Sequence, residues 1–152
     1  MPGSVEITRL QPPHSELLSE LFERIRVDPA STFFHPHEFT VSEAYRICNL
    51  AGQDHYLALR VDEQFLAYGM LRGWDEGFAT PTLGIYVSPA LRGTGAARVM
   101  MEFMHLDARL AGASRIRLKV YSSNVPAHRL YISLGYEFAD AEGEQLVGVV
   151  NL

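Results

Sequence analysis

The apolar positions along this chain change period part-way through. Near the start, Leu17, Leu18, Leu21, Phe22 and Ile25 recur at helical spacing between Ser15 and Arg26, which predicts an amphipathic helix. Asp28-Pro29 stops it, since proline has no amide to offer the helix ladder. Ahead of it, Ile7 to Leu10 reads as a short strand closed by Gln11-Pro12-Pro13. Behind it, Phe33 to Phe39 forms an aromatic loop. Thr40 or Ser42 then stands where a cap is needed for a second helix that turns Ala44, Ile47, Cys48 and Ala51 inward.

From Tyr56 onward the rhythm is mostly that of strands. Tyr56 to Val61 and Phe65 to Trp74 flank the polar turn Asp62-Glu63-Gln64 and predict a hairpin. Thr82 to Val87 is a third strand, after the loop Asp75-Glu76-Gly77. A long helix follows from about Gly95 to Ala111, with Val99, Phe103, Leu106 and Leu110 on one face and Gly112 beyond its end. Ile116 to Tyr121 alternates apolar and basic residues as a strand does. A short helix runs from Val125 to Leu134, entered at Ser123-Asn124 and ended at Gly135, and strands at Tyr136 to Ala139 and Gln145 to Val150 complete the chain. The order is β-α-α-β-β-β-α-β-α-β-β, with no internal repeat or linker. It predicts a single α+β domain over residues 1–152 with a mixed sheet, because only the strand–long helix–strand unit demands parallel pairing.

Composition narrows the function classes. A net charge of -5 in 152 residues argues against coating nucleic acid through the overall field. Yet seven of the thirteen basic residues, from Arg92 to Arg129, fall within 38 positions, which suits a local pocket for an anion. No apolar run is long enough to cross a bilayer, and Met1 to Glu6 lacks the basic start and apolar stretch of a signal peptide. Cys48, the one cysteine, leaves no intrachain disulfide. A cytoplasmic setting is the expectation, with no membrane partner.

The chemistry concentrates where strand meets long helix, at Ser88-Pro89-Ala90-Leu91-Arg92-Gly93-Thr94-Gly95-Ala96-Ala97. The first amides of a helix have no acceptor inside it and point back toward the preceding loop. Glycines at 93 and 95 let backbone approach a ligand, and together with the helix dipole the amides suit a pyrophosphate. Arg92 adds a charged clamp. A P-loop would need Gly-Lys-Ser/Thr where Gly95-Ala96-Ala97 stands. A dinucleotide fingerprint would need glycine or alanine at Arg98 and an acidic end to the next strand, which instead closes on Lys119-Val120-Tyr121. Both fail.

The remaining pattern, Arg/Gln-x-x-Gly-x-Gly/Ala, resembles the acetyl-CoA loop of the GNAT (GCN5-related) N-acetyltransferases. The resemblance takes in Leu83 to Pro89 before the loop. It extends to Asn124-Val125-Pro126-Ala127-His128-Arg129-Leu130-Tyr131-Ile132-Ser133-Leu134-Gly135-Tyr136 after it, with Tyr136 where the family usually has phenylalanine. It covers roughly residues 55 to 140, and the first 50 residues match only in element order. The resemblance implies a mixed, mostly antiparallel, twisted sheet with a splayed central strand pair and flanking helices. It also implies an N-acetyltransferase that moves an acetyl group from acetyl-CoA to a primary amine of a small molecule, by direct attack in a ternary complex and without metal.

By the same resemblance, Ile85, Tyr86 and Val87 receive the pantetheine arm. Arg92, Gly93, Thr94, Gly95, Ala96 and Ala97 receive the pyrophosphate, Asn124 caps its helix or touches the cofactor, and Tyr131 protonates the leaving thiolate. The strand from Thr82 to Val87 lacks the glutamate that many relatives use as base. Glu76, Asp75, Tyr86, His35, His37, His55 and a water chain all stay open for that role. His35-Pro36-His37 lacks a third ligand nearby, so metal binding is not expected. Phe34, His35, His37 and Trp74 are the candidate walls of the acceptor pocket. A CoA-binding sensor without turnover and an O-acetyltransferase acting on a sugar hydroxyl are the rival readings. The acceptor's identity and the formation of a homodimer stay open.

Overall fold

A computed structural model describes residues 3–152; Met1 and Pro2, at the head of the stretch read for a leader, lie outside the described residues. Seven strands form one sheet in the order β1-β2-β3-β4-β5-β7-β6. They are β1 Val5–Arg9, β2 His55–Val61, β3 Gln64–Arg72, β4 Thr82–Val87, β5 Arg115–Tyr121, β6 Glu137–Glu142 and β7 Gln145–Asn151. Every pairing is antiparallel except β4 with β5, the pair joined through a helix. The helices are α1 Ser15–Val27, α2 Val41–Cys48, α3 Ala96–Leu110 and α4 Val125–Ser133. This is the α+β element order that the sequence predicts.

The sheet separates two apolar layers. Under α1 and α2, Leu18, Leu21, Phe22, Ile25, Ala44 and Ile47 pack with Tyr68 and Met70. Under α3 and α4, Met100, Met101, Met104 and Ala108 pack with Leu57, Leu83, Ile116 and Leu118. Thr40 caps α2, its hydroxyl accepting from the Glu43 amide at 3.0 Å.

Four sequence expectations shift. Val99, Phe103, Leu106 and Leu110 do share one face of α3, but that face looks to solvent. The methionines face inward instead, because Gly69 leaves a hollow on β3: a Cβ there would lie 2.7 Å from the Met104 sulfur. α2 stops at Cys48, so Ala51 is exposed rather than turned inward. β3 ends at Arg72, not Trp74, because Gly73 takes φ 122 and Asp54 Oδ1 accepts from the Gly73 and Asp75 amides, curling the chain off the sheet. β6 begins after Tyr136, whose ring is buried and whose hydroxyl lies 2.8 Å from His105 Nε2.

Candidate active site

β4 and β5 touch at one register point, Thr82 opposite Arg117, where the Arg117 amide donates to Pro81 O at 3.0 Å. Beyond it they diverge. The Ser88 amide donates to Leu66 O of the β3 side at 2.8 Å. Backbone groups alternate along a strand, so Ile85 and Val87 turn theirs toward β5. By the same parity Lys119 and Tyr121 turn theirs toward β4. The divergence therefore leaves facing backbone groups unpaired across a wedge, and buried backbone groups need partners. An extended, amide-bearing ligand arm can supply them. The wedge opens into a cleft of about 740 Å³ lined by both strands, the 88–97 loop and the first turns of α4.

At the wide end lies the glycine loop. Gly93 and Gly95 have φ 78 and 87, a left-handed conformation that a side chain resists. No protein atom lies within 4 Å of a Cβ built on either one, so the requirement for glycine here is conformational. Gly95 precedes α3, and the first hydrogen bond that reaches back is Val99 to Gly95 O at 3.2 Å. The amides of Gly95, Ala97 and Arg98 thus have no acceptor within the helix, while that of Ala96 leans on Thr94 Oγ1 at 3.3 Å. Asn124 precedes α4 and lines the cleft; its backbone amide donates to Tyr121 O at 2.9 Å, while its side-chain amide makes no capping bond and is free for a ligand.

Arg92 is engaged. Its guanidinium reaches Asp28 Oδ2 at 2.5 Å and Val87 O at 3.3 Å. Tyr86 donates its hydroxyl to the same carboxylate oxygen at 2.7 Å, and the Ala30 amide donates to the other at 3.0 Å. Burial alone would raise the Asp28 carboxyl, but these bonds outweigh it and hold it below its usual value. Burial first, then the bond to Asp28, pushes the Tyr86 phenol well up, so Tyr86 serves as a donor to that carboxylate. The knot ties the phosphate loop to the turn after α1. The sequence read Asp28 only as a helix stop; its pairing with proline in a capped turn was the one available signal.

Tyr131 is the buried residue of α4 and at the same time lines the cleft. Burial pushes its phenol up to about 12. The aromatic wall is present: Phe34 lies across from Tyr86 at 6.0 Å between centroids, and Phe33 from Tyr121 at 6.0 Å. His35 Nε2 lies 2.6 Å from the hydroxyl of Tyr121, at the end of β5, which joins the α1–α2 connection to the open mouth of the wedge.

Of the other candidate bases, Tyr86 lines the cleft with its hydroxyl committed to Asp28, and the rest lie elsewhere. His37 is bonded at both ring nitrogens, to Glu38 O at 2.7 Å and the Tyr68 hydroxyl at 2.9 Å, and packs on Phe22. His55 is joined to Asp107 Oδ2 at 2.6 Å, with the Trp74 ring tilted against it at 4.7 Å between centroids. Asp75 accepts from the Gln53 amide at 2.6 Å. Glu76 is exposed in the turn beside it. Trp74, Asp75 and Glu76 all sit past the closed end of the wedge and do not line the cleft. In the sequence Tyr121 marks only a strand end; its place at the diverging tip is a tertiary fact. Of the seven basic residues that cluster in sequence, Arg92, Arg98 and Lys119 line the cleft.

The model of the acetyltransferase (GNAT) family matches residues 18–136. This chain belongs to the GNAT acetyltransferase family. Its fold is that of solved GNAT structures. The GNAT domain of PAT from S. lividans superposes with a TM-score of 0.83 at 18% identity, covering 99% of this chain and 92% of that one. PaiA N-acetyltransferase from Thermoplasma acidophilum, solved in complex with coenzyme A, gives 0.79 at 15% identity, over 98% of this chain and 99% of that one. The ribosomal-protein-S18-alanine N-acetyltransferase of Escherichia coli gives 0.72 at 17%, over 97% and 94%. No curated protein matches the sequence. In this GNAT domain the wedge and the amide-lined loop together fit the elongated shape and the diphosphate of coenzyme A.

Proposed function

We propose that this GNAT domain is a cytoplasmic N-acetyltransferase that moves the acetyl group of acetyl-CoA to a primary amine of a small molecule, by direct attack. The observation that carries the reading is the wedge itself. The open backbone of Ile85 and the Val87 amide lead from the free amides of the α3 start to Tyr131, the Val87 carbonyl being held by Arg92. The diphosphate sits on the amides of Gly95, Ala97 and Arg98, and the pantetheine arm completes the interrupted sheet. A backbone amide of the wedge polarises the thioester carbonyl.

The acceptor enters from the side of Phe33, Phe34 and His35. Its neutral nitrogen attacks the carbonyl carbon and the carbon–sulfur bond breaks. Tyr131, protonated far above neutral pH, gives its proton to the departing sulfur. Among the candidates for removing the amine proton, Tyr86 lines the cleft but gives its hydroxyl to Asp28, which favours His35, joined to the lining residue Tyr121. Cys48 is buried in the α2 layer and its thiol is raised by burial, which favours direct attack over a covalent acyl-enzyme. The flat walls of Phe33 and Phe34 suit a ring-bearing amine.

Incubating the purified protein with acetyl-CoA and a panel of primary amines, while following thiol release, tests the reading. Amine-dependent release supports it. Coenzyme A binding with no release for any amine would overturn it in favour of a sensor.

A further inference from the structure

The solvent face of α3 carries Val99, Phe103, Leu106 and Leu110, which are 56%, 39%, 48% and 78% exposed. Their spacing of four, three and four is that of a coiled-coil seam. The buried residues Met100, Met104 and Ala108 lie on nearly the opposite side of the helix, so nothing of this chain's own core covers the seam. Along one edge of it run Glu102 and Arg109, seven positions apart. Both are exposed, and neither has an ion-pair partner among the described residues.

We infer that this face is the dimer interface of the protein, with the α3 helices of two copies packed antiparallel about a twofold axis between Phe103 and Leu106. The charge pattern selects this occupant. In an antiparallel pair the axis sets Phe103 against the partner's Leu106, and Val99 against the partner's Leu110. It also brings the Glu102 edge of each helix beside the Arg109 edge of the other, so two opposite-charge pairs form at once. A parallel pair would carry the Glu102–Arg109 edges of the two helices to opposite sides of the seam, where neither pair can form. The charges of this edge therefore complement each other in the antiparallel orientation alone. The seam spans roughly 16 Å of helix, short for a stable interface, so the association is expected in the micromolar range.

Sedimentation velocity across roughly 1 to 200 µM tests this on the full chain. The wild type is expected to pass from monomer to dimer. Leu110→Glu, at a side chain outside the core, is expected to weaken association about 100-fold, and Phe103→Glu likewise. Glu102→Arg and Arg109→Glu should each weaken it, and the double exchange should restore it. Circular dichroism and melting of each variant report whether it folds. A wild type that stays monomeric throughout, a dimer that persists in folded Leu110→Glu, or a double exchange that fails to rescue would each overturn the inference. These readouts do not depend on coenzyme A or on turnover.

Discussion

Tyr131 combines two environments that the sequence alone presents as alternatives. It is a core residue of α4, packed 5.9 Å from the Tyr136 ring, and also a wall of the cleft. Burial raises its phenol to about 12, so the group stays a proton donor throughout the neutral range. Tyr131→Phe is therefore expected to lower kcat by ~10²-fold while coenzyme A affinity, measured by calorimetry, changes little. A full-rate variant would remove it from the mechanism. His35 answers to a parallel test. His35→Gln is expected to lower kcat by roughly 10- to 100-fold with an unchanged KM for acetyl-CoA, whereas the same change at His55, tied to Asp107, should leave both constants near wild type.

Among the elements, the loop into α3 shows why glycine is required. A side chain at 95 would strike no protein atom, yet φ 87 puts it in a conformation that costs about 1 kcal/mol or more. Gly95→Ala should therefore raise the KM for acetyl-CoA about 10-fold by tilting the first amides. Most of kcat should be retained at saturation, as steady-state kinetics would reveal. The Asp28 knot belongs to the same scale, because it joins the 29–33 turn to β4 and the phosphate loop at one carboxylate. Asp28→Asn keeps the shape and removes the charge. Expected are a rise in the KM values of both substrates and a lower melting temperature, since two donors would compete for a weaker acceptor. Loss confined to one substrate would show that the knot does not couple the two ends.

For the molecule as a whole, the acidic limit of stability has an identifiable contributor. Burial lowers the His37 pKa below its usual 6.5, because its ring packs among Phe22, Phe39 and Tyr68. A depressed pKa means that the unfolded chain takes up the proton first as pH falls. The stability this residue supports is complete above about 6.5 and is lost as pH drops through the lower folded value. Protonation would also set an N–H of Nε2 against the Tyr68 hydroxyl, which now donates to it. Melting temperature should therefore decline below pH about 6.5, and His37→Gln should flatten that decline. An equal slope in both proteins would assign it to other groups, His105 first, whose pKa burial also lowers.

Much of this protein is local in origin and so legible in the chain. Period, proline and glycine stops and the Thr40 cap set the order of elements, because each depends on neighbours within a few residues. The glycine loop announced an anion site for the same reason: left-handed turns and a helix start are local geometry. What the sequence left open needed partners distant along the chain. Which face of α3 is buried depended on the hollow at Gly69, and the end of β3 on a carboxylate at Asp54. The placement of Glu76 and Trp74 outside the cleft, and of His35 beside Tyr121 at its mouth, followed from where β4 and β5 part. Contacts between residues some 20 to 90 positions apart decided these points, and a one-dimensional pattern carries no record of such closures.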